Sequence, residues 1–132
     1  MRAFQLGLTL LLTMLLHGCN EPVNWNSTEI TGMMPDLEFS LIGPDGDAFD
    51  ANSLHGKPTL IFFGFTSCPD VCPTTLTQLS VVIKKLGAKA NDIQIVLVSV
   101  DPDRDTPEVM KTYTASFGPW LLGLTGPEQP LP

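Results

Sequence analysis

Thr59-Leu60-Ile61-Phe62-Phe63-Gly64-Phe65-Thr66-Ser67-Cys68-Pro69-Asp70-Val71-Cys72-Pro73 decides the fold. Its first half is a nearly unbroken apolar run rich in β-branched and aromatic residues, which reads as a strand covered on both faces. Its second half is a short loop closed by two cysteines four apart. Beyond it Leu76, Leu79, Val82, Ile83 and Leu86 recur at helical spacing. Pro73 suits the first helical residue and Gly87 the stop. The stretch is therefore a strand, a cysteine loop and an amphipathic helix.

The same alternation continues downstream. Ile93 to Val100 is a second buried strand. Asp105-Thr106-Pro107-Glu108 opens another helix, with Thr106 as cap, Pro107 first and Glu108 favouring the positive helix end. Met110, Tyr113 and Phe117 form that helix's apolar stripe. Trp120 to Leu124 is a third strand, ended by Thr125-Gly126-Pro127. Upstream, Leu37, Phe39 and Leu41 alternate with polar residues. Gly43-Pro44-Asp45-Gly46 is a turn, and Ala48-Phe49 completes a β-hairpin. Leu54 to Pro58 reads as a loop. A hairpin followed by β-α-β-α-β implies a three-layer α/β sandwich with right-handed crossovers.

The N-terminus reads as an export signal. Met1-Arg2 is positive, and Leu6 to Leu16 is an eleven-residue apolar run. That is shorter than the about 20 residues a spanning helix needs but suits a signal peptide. Gly18-Cys19 resembles the site where bacterial lipoproteins are cleaved and lipidated. This assigns residues 1–18 to a lipoprotein signal peptide and residues 19–35 to a polar tether. Residues 36–126 form the domain, and 127–132 an irregular tail. Localisation follows as the bacterial cell envelope, held to the membrane by lipid on Cys19, with the domain facing the periplasm or the outer side of the cytoplasmic membrane.

The chain has three cysteines in 132 residues. With Cys19 lipidated, Cys68 and Cys72 remain as an isolated pair. The loop they close is too short to staple a domain usefully, so the pair reads as functional. A helix mouth offers unpaired N–H groups and a positive dipole end, which favour thiolates. Thiolates are soft donors that select Cu(I), or zinc in fuller sites. Zinc would want four ligands, which this neighbourhood does not supply. The same sulfurs can instead exchange electrons as a dithiol–disulfide couple.

Other residues carry blander roles. Asp70 reads as a solvated turn residue and His55, the one histidine after the signal segment, as a surface loop residue. Asp101, Asp103, Asp105 and Arg104 read as capping and a local ion pair. After residue 18, six basic residues stand against fourteen acidic ones, a formal charge of −8, which argues against nucleic acid as a partner. There is no Ser-His-Asp set and no phosphate-cradling glycine loop.

Phe63 to Leu76, Val98 to Glu108 and Gly123 to Gly126 together resemble the Sco/SenC family, over a region from about Pro35 to Gly126. The resemblance implies a thioredoxin-like fold, a membrane anchor and copper binding in assembly of the dinuclear copper centre of cytochrome c oxidase. Copper delivery and reduction of that centre's cysteines are both implied roles, with the copper-receiving oxidase subunit as partner. It implies Cys68 and Cys72 as the two sulfur ligands. The family's third ligand is a histidine in a later hairpin, and no residue of this chain matches it. The family's remaining helix, hairpin strands and final helix are likewise unmatched, so the reading is of a domain lacking its C-terminal strands and helix, poorly stable as a monomer. The alternatives are a thiol–disulfide reductase acting on exported proteins, a less favoured thiol peroxidase, and a nonfunctional truncated product.

Overall fold

The computed structural model describes residues 26–126. The signal peptide at 1–18, the lipidation at Cys19 and the tail at 127–132 lie outside the described residues. The chain divides into two compact units, Met1–Pro35 and Asp36–Pro132. In the first, residues 26–35 hold no helix or strand; a turn is closed by the Met33 N–H donating to the Ile30 carbonyl at 2.9 Å. Among the described residues no helix is long and apolar enough to cross a membrane.

The second unit opens with a hairpin, β1 (Ser40–Ile42) against β2 (Ala48–Asp50), in the register Leu41 opposite Phe49. Its turn needs Gly46, which sits at φ 84°, a region open to glycine at no steric cost. Asp50 then caps a short 3-10 turn, Ala51–Leu54, by accepting from the Asn52 N–H at 2.7 Å. That turn ends where the expected Leu54–Pro58 loop begins, and it buries Leu54.

Next come β3 (Thr59–Gly64), α1 (Val71–Leu86), β4 (Gln94–Ser99), α2 (Pro107–Ala115) and β5 (Leu121–Leu124). A 3-10 turn, Gly87–Asp92, joins α1 to β4. The three strands pair in parallel in the order β3-β4-β5. Both crossovers step the same way along the sheet, so crossovers of one hand lay both helices on one face. On that face Leu76 of α1 and Met110 of α2 pack against Ile95, Leu97 and Leu121. On the other, Val96, Val98 and Leu124 pack against Leu54, with Phe39, Leu41 and Phe49 of the hairpin region beside them. The three layers are thus a helix pair, the sheet and the hairpin. A single antiparallel bridge between Ile42 and Thr125 ties hairpin to sheet.

Two sequence expectations change. β3 is not fully covered on either face: Leu60 is 46% and Phe63 64% exposed, and among the described residues β3 is an edge strand, where the layers above and below the sheet reach least far. Helix α1 begins at Val71, not Pro73, with Asp70 at the cap. Pro73 falls at the third helical position, still within the first turn, where a missing N–H costs no helical bond. The apolar stripe of α1 is only partly used, since Val82 and Leu86 remain exposed. The second helix follows expectation: Thr106 is the cap, its hydroxyl accepting from the Val109 N–H, and Pro107 is first.

Candidate metal and redox centre

Strand β3 delivers the chain to its C-terminal end at Gly64, and Val100 N–H bonds back to the Gly64 carbonyl at 2.9 Å. A tight turn follows, Phe65 to Cys68, closed by the Cys68 N–H on the Phe65 carbonyl at 3.2 Å. Cys72 lies in the first turn of α1. Its backbone N–H donates to the Cys68 sulfur at 3.4 Å. Asp70, at the cap, makes no side-chain cap bond. The Cys68 sulfur therefore takes the role a serine or aspartate oxygen has at an ordinary helix start.

Both thiols are free, and their surroundings differ. The thiol of Cys72, then the N–H groups of Cys72, Asp70 and Val71, hold Cys68 below the ordinary thiol value by stabilising its thiolate. Burial, then the proton engaged with Cys68, pushes Cys72 upward. The expectation that the helix mouth ionises both sulfurs is corrected: it acts on Cys68, while Cys72, 6% exposed, sits too deep. Gly64 makes that depth available. A Cβ there would stand 3.2 Å from the Cys72 sulfur and 3.1 Å from Phe62 Cε1.

Behind the turn lies a buried carboxylate. Asp105 is fully buried and accepts from the Thr66 N–H at 3.1 Å and the Thr66 hydroxyl at 2.6 Å. Its Oδ2 also accepts from the Ser99 hydroxyl at 2.6 Å. Sequence reading gave Asp105 only a capping role, because nothing local joins residues 66, 99 and 105; the β3–β4 register, Gly64 beside Ser99, does. The rest of the acidic cluster behaves as read. Asp101 pairs with Arg104 at 2.6 Å, and Asp103 is exposed. Tyr113 belongs to the core by its helical spacing, and its hydroxyl is buried with no hydrogen-bond partner among the described residues. Burial, then the nearby Cys72, Cys68 and Asp105 charges, raises its pKa.

His55 is exposed, at the end of the Ala51–Leu54 turn. It lines a cleft with Asp36, Glu38 and Asp50, apart from the cysteine turn. Among the described residues no group of three His, Cys, Asp or Glu side chains converges to hold a metal ion. The donor set on offer is two sulfurs.

The SCO1/SenC family model matches residues 30–131. An SCO2-like protein of Rickettsia felis is 46% identical over 92 residues, covering 70% of this chain and 45% of the relative. The structure of Bradyrhizobium japonicum ScoI with copper bound is 51% identical, with a TM-score of 0.65 over 68% of this chain and 57% of that one. BsSco, described as carrying a disulfide switch and as a member of the Sco family of cytochrome c oxidase assembly proteins, is 32% identical. Its TM-score is 0.60, over 70% of this chain and 56% of that one. The chain thus spans less than half the length of its Rickettsia relative. The thioredoxin-like α/β fold expected from the sequence is the fold of these neighbours.

Proposed function

Because the chain belongs to the SCO1/SenC family, we propose that it carries copper, as Cu(I) cargo, between Cys68 and Cys72. The receiving partner is the copper-accepting subunit of cytochrome c oxidase or a similar exported cuproprotein. The observation that carries this reading is the Cys72 N–H bonded to the Cys68 sulfur at a helix mouth. It seats the Cys68 sulfur on the helix turn that carries Cys72, and the Cys72 thiol itself bonds to Cys68 and favours its thiolate. Two thiolates suit Cu(I); a zinc site would need about four ligands. Loading asks Cys72 to give up its proton, which its burial otherwise holds in place. Supply of an apolar segment at Leu6 to Leu16 and a cysteine at Cys19 supports lipid anchoring in the bacterial envelope.

The test is competition for Cu(I) between the reduced protein and a chromogenic chelator. One equivalent is expected in the parent chain, and strongly reduced binding in both Cys68→Ser and Cys72→Ser. Uptake unchanged in both variants would overturn the reading. Incorporation of labelled palmitate, lost in Cys19→Ser, tests the anchor.

A second reading is favoured by the asymmetry of the pair. A partly exposed Cys68 whose pKa is lowered, beside a buried Cys72 whose pKa is raised, suits dithiol exchange. The Cys68 thiolate attacks a partner disulfide and forms a mixed disulfide, releasing one partner thiolate. Cys72, once deprotonated, attacks Cys68, closes the intramolecular disulfide and frees the second partner thiol. The pair gives up two electrons and the Cys72 proton, and a second proton from solvent completes the partner's two thiols. A Cys72→Ser variant that accumulates a mixed disulfide supports it.

A further inference from the structure

We propose that Asp105 is the positioning residue of the cysteine pair: its buried carboxylate clamps the Phe65–Cys68 turn through Thr66 and so sets where the Cys68 sulfur stands relative to Cys72. The inference rests on the reading of Cys68 and Cys72 as the working pair.

The geometry is that of a two-armed brace. One arm reaches the cysteine turn: the Thr66 hydroxyl on Oδ1 and the Thr66 N–H on Oδ2. The other reaches the scaffold, with the Ser99 hydroxyl on Oδ2 at 2.6 Å. Ser99 ends β4, and its hydroxyl oxygen accepts from the Asp101 N–H at 3.0 Å, so the scaffold arm is itself held. Thr66 is the second residue of the turn whose fourth is Cys68. Fixing residue 66 fixes the direction in which the turn presents residue 68. Helix α1 fixes Cys72 independently, through the packing of Leu76 in the core. The relative placement of the sulfurs is then set by the Thr66–Asp105 arm and by the short link between Cys68 and Cys72.

A capping role does not explain this carboxylate. Thr106 caps α2 with its own hydroxyl, and Asp105 spends both oxygens on residues 66 and 99. A buried charge with three donors is costly to leave half-satisfied, so each donor is held firmly. An asparagine keeps one acceptor oxygen and puts an NH2 donor where the second oxygen was, so it cannot accept all three bonds at once.

Thr66 and Ser99 each give Asp105 one hydroxyl bond of 2.6 Å, which makes them a matched pair. Thr66→Val removes the hydroxyl bond of the arm to the cysteines and leaves its N–H, Ser99→Ala removes the hydroxyl bond to the scaffold, and Thr66→Ser keeps the hydroxyl. The measurements are Cu(I) affinity of the reduced protein by chelator competition, and urea unfolding of the same samples. Asp105→Asn and Thr66→Val are expected to weaken Cu(I) binding by about 10- to 100-fold, with Thr66→Ser near the parent and Ser99→Ala within about threefold, the range typical of residues that orient metal ligands. The proposal is overturned if Thr66→Val binds as the parent does, or if Ser99→Ala loses as much affinity as Thr66→Val at equal stability. Should Asp105→Asn not fold, the threonine and serine variants still decide. Should the parent take up no Cu(I), the copper reading fails separately. The clamp is then decided by the dithiol–disulfide equilibrium with glutathione, expected to shift in Thr66→Val and not in Ser99→Ala.

Discussion

The backbone N–H of Cys72 donates to the sulfur of Cys68 at 3.4 Å, so one member of the pair caps the helix that carries the other. Removing Cys68 therefore does two things at once. Cys68→Ser keeps an acceptor for that N–H, whereas Cys68→Ala leaves it without one. Both variants should bind little Cu(I), but the alanine form should be about 1 kcal/mol less stable than the serine form. Urea unfolding of the reduced, metal-free proteins checks this; equal stabilities would show that the sulfur does not act as a cap.

Thiol chemistry should be equally lopsided. Cys68 is partly exposed and Cys72 buried. Cys68 lies below the ordinary thiol value of 9.0 because its thiolate accepts from the Cys72 thiol and from first-turn N–H groups. A lowered pKa means more thiolate at any pH beneath that value, so the alkylation rate should reach its half-maximum at lower pH than for a free cysteine. Cys72, pushed up by burial, should react later and need higher pH. Iodoacetamide labelling of the reduced protein across pH 5 to 10, read by peptide mass spectrometry, is the measurement. Faster labelling of Cys72 at neutral pH contradicts the assignment.

Gly64 carries a different constraint. A methyl group there would stand 3.2 Å from the Cys72 sulfur and 3.2 Å from Leu97 Cδ1, close enough that these neighbours must give by a few tenths of an ångström. Leu97 is fully buried and has little room to yield. Gly64→Ala should destabilise the domain by about 1–3 kcal/mol through overpacking. It should also displace Cys72 while leaving the partly exposed Cys68 side of the site in place. Thermal unfolding and Cu(I) competition on one preparation separate the two effects: both should fall together, and a fully stable variant would show that the sulfur moves aside freely.

What was legible in the sequence was what neighbours along the chain decide. Thr106-Pro107 starts α2 because a hydroxyl cap and a fixed φ act within one turn, and the same residues do so in the structure. Gly87, at φ 56°, ends α1 for an equally local reason. The apolar runs placed β4 and β5 to within two residues of their observed ends. What was not legible depends on partners far away in sequence. The run at β3 carries no mark distinguishing an edge strand from a central one; only the sheet order does. The start of α1 was misplaced because the capping atom is a sulfur, outside the usual cap residues. Thr66, Ser99 and Asp105 look like three unrelated polar residues until the β3–β4 register brings two strand ends together. The candidate site was therefore half readable: the two cysteines stand out in the motif, whereas the contacts joining Thr66, Ser99 and Asp105 exist only in the fold.

Tyr113 offers a test of the core behind the site. Its ring packs edge-on against Phe117 with centroids 5.2 Å apart, so the ring has a structural place. Its hydroxyl does not, being buried without a hydrogen-bond partner among the described residues. An unpaired buried donor costs about 1–3 kcal/mol against leaving it in water. Tyr113→Phe keeps the ring contacts and removes that cost, so it should raise stability by about 1 kcal/mol. Because the hydroxyl donates to neither sulfur, Cu(I) affinity should stay at the parent value. A loss of stability in Tyr113→Phe would mean that the hydroxyl is paired in solution, and a loss of affinity alone would make it part of the metal centre. Calorimetric unfolding beside chelator competition distinguishes these outcomes.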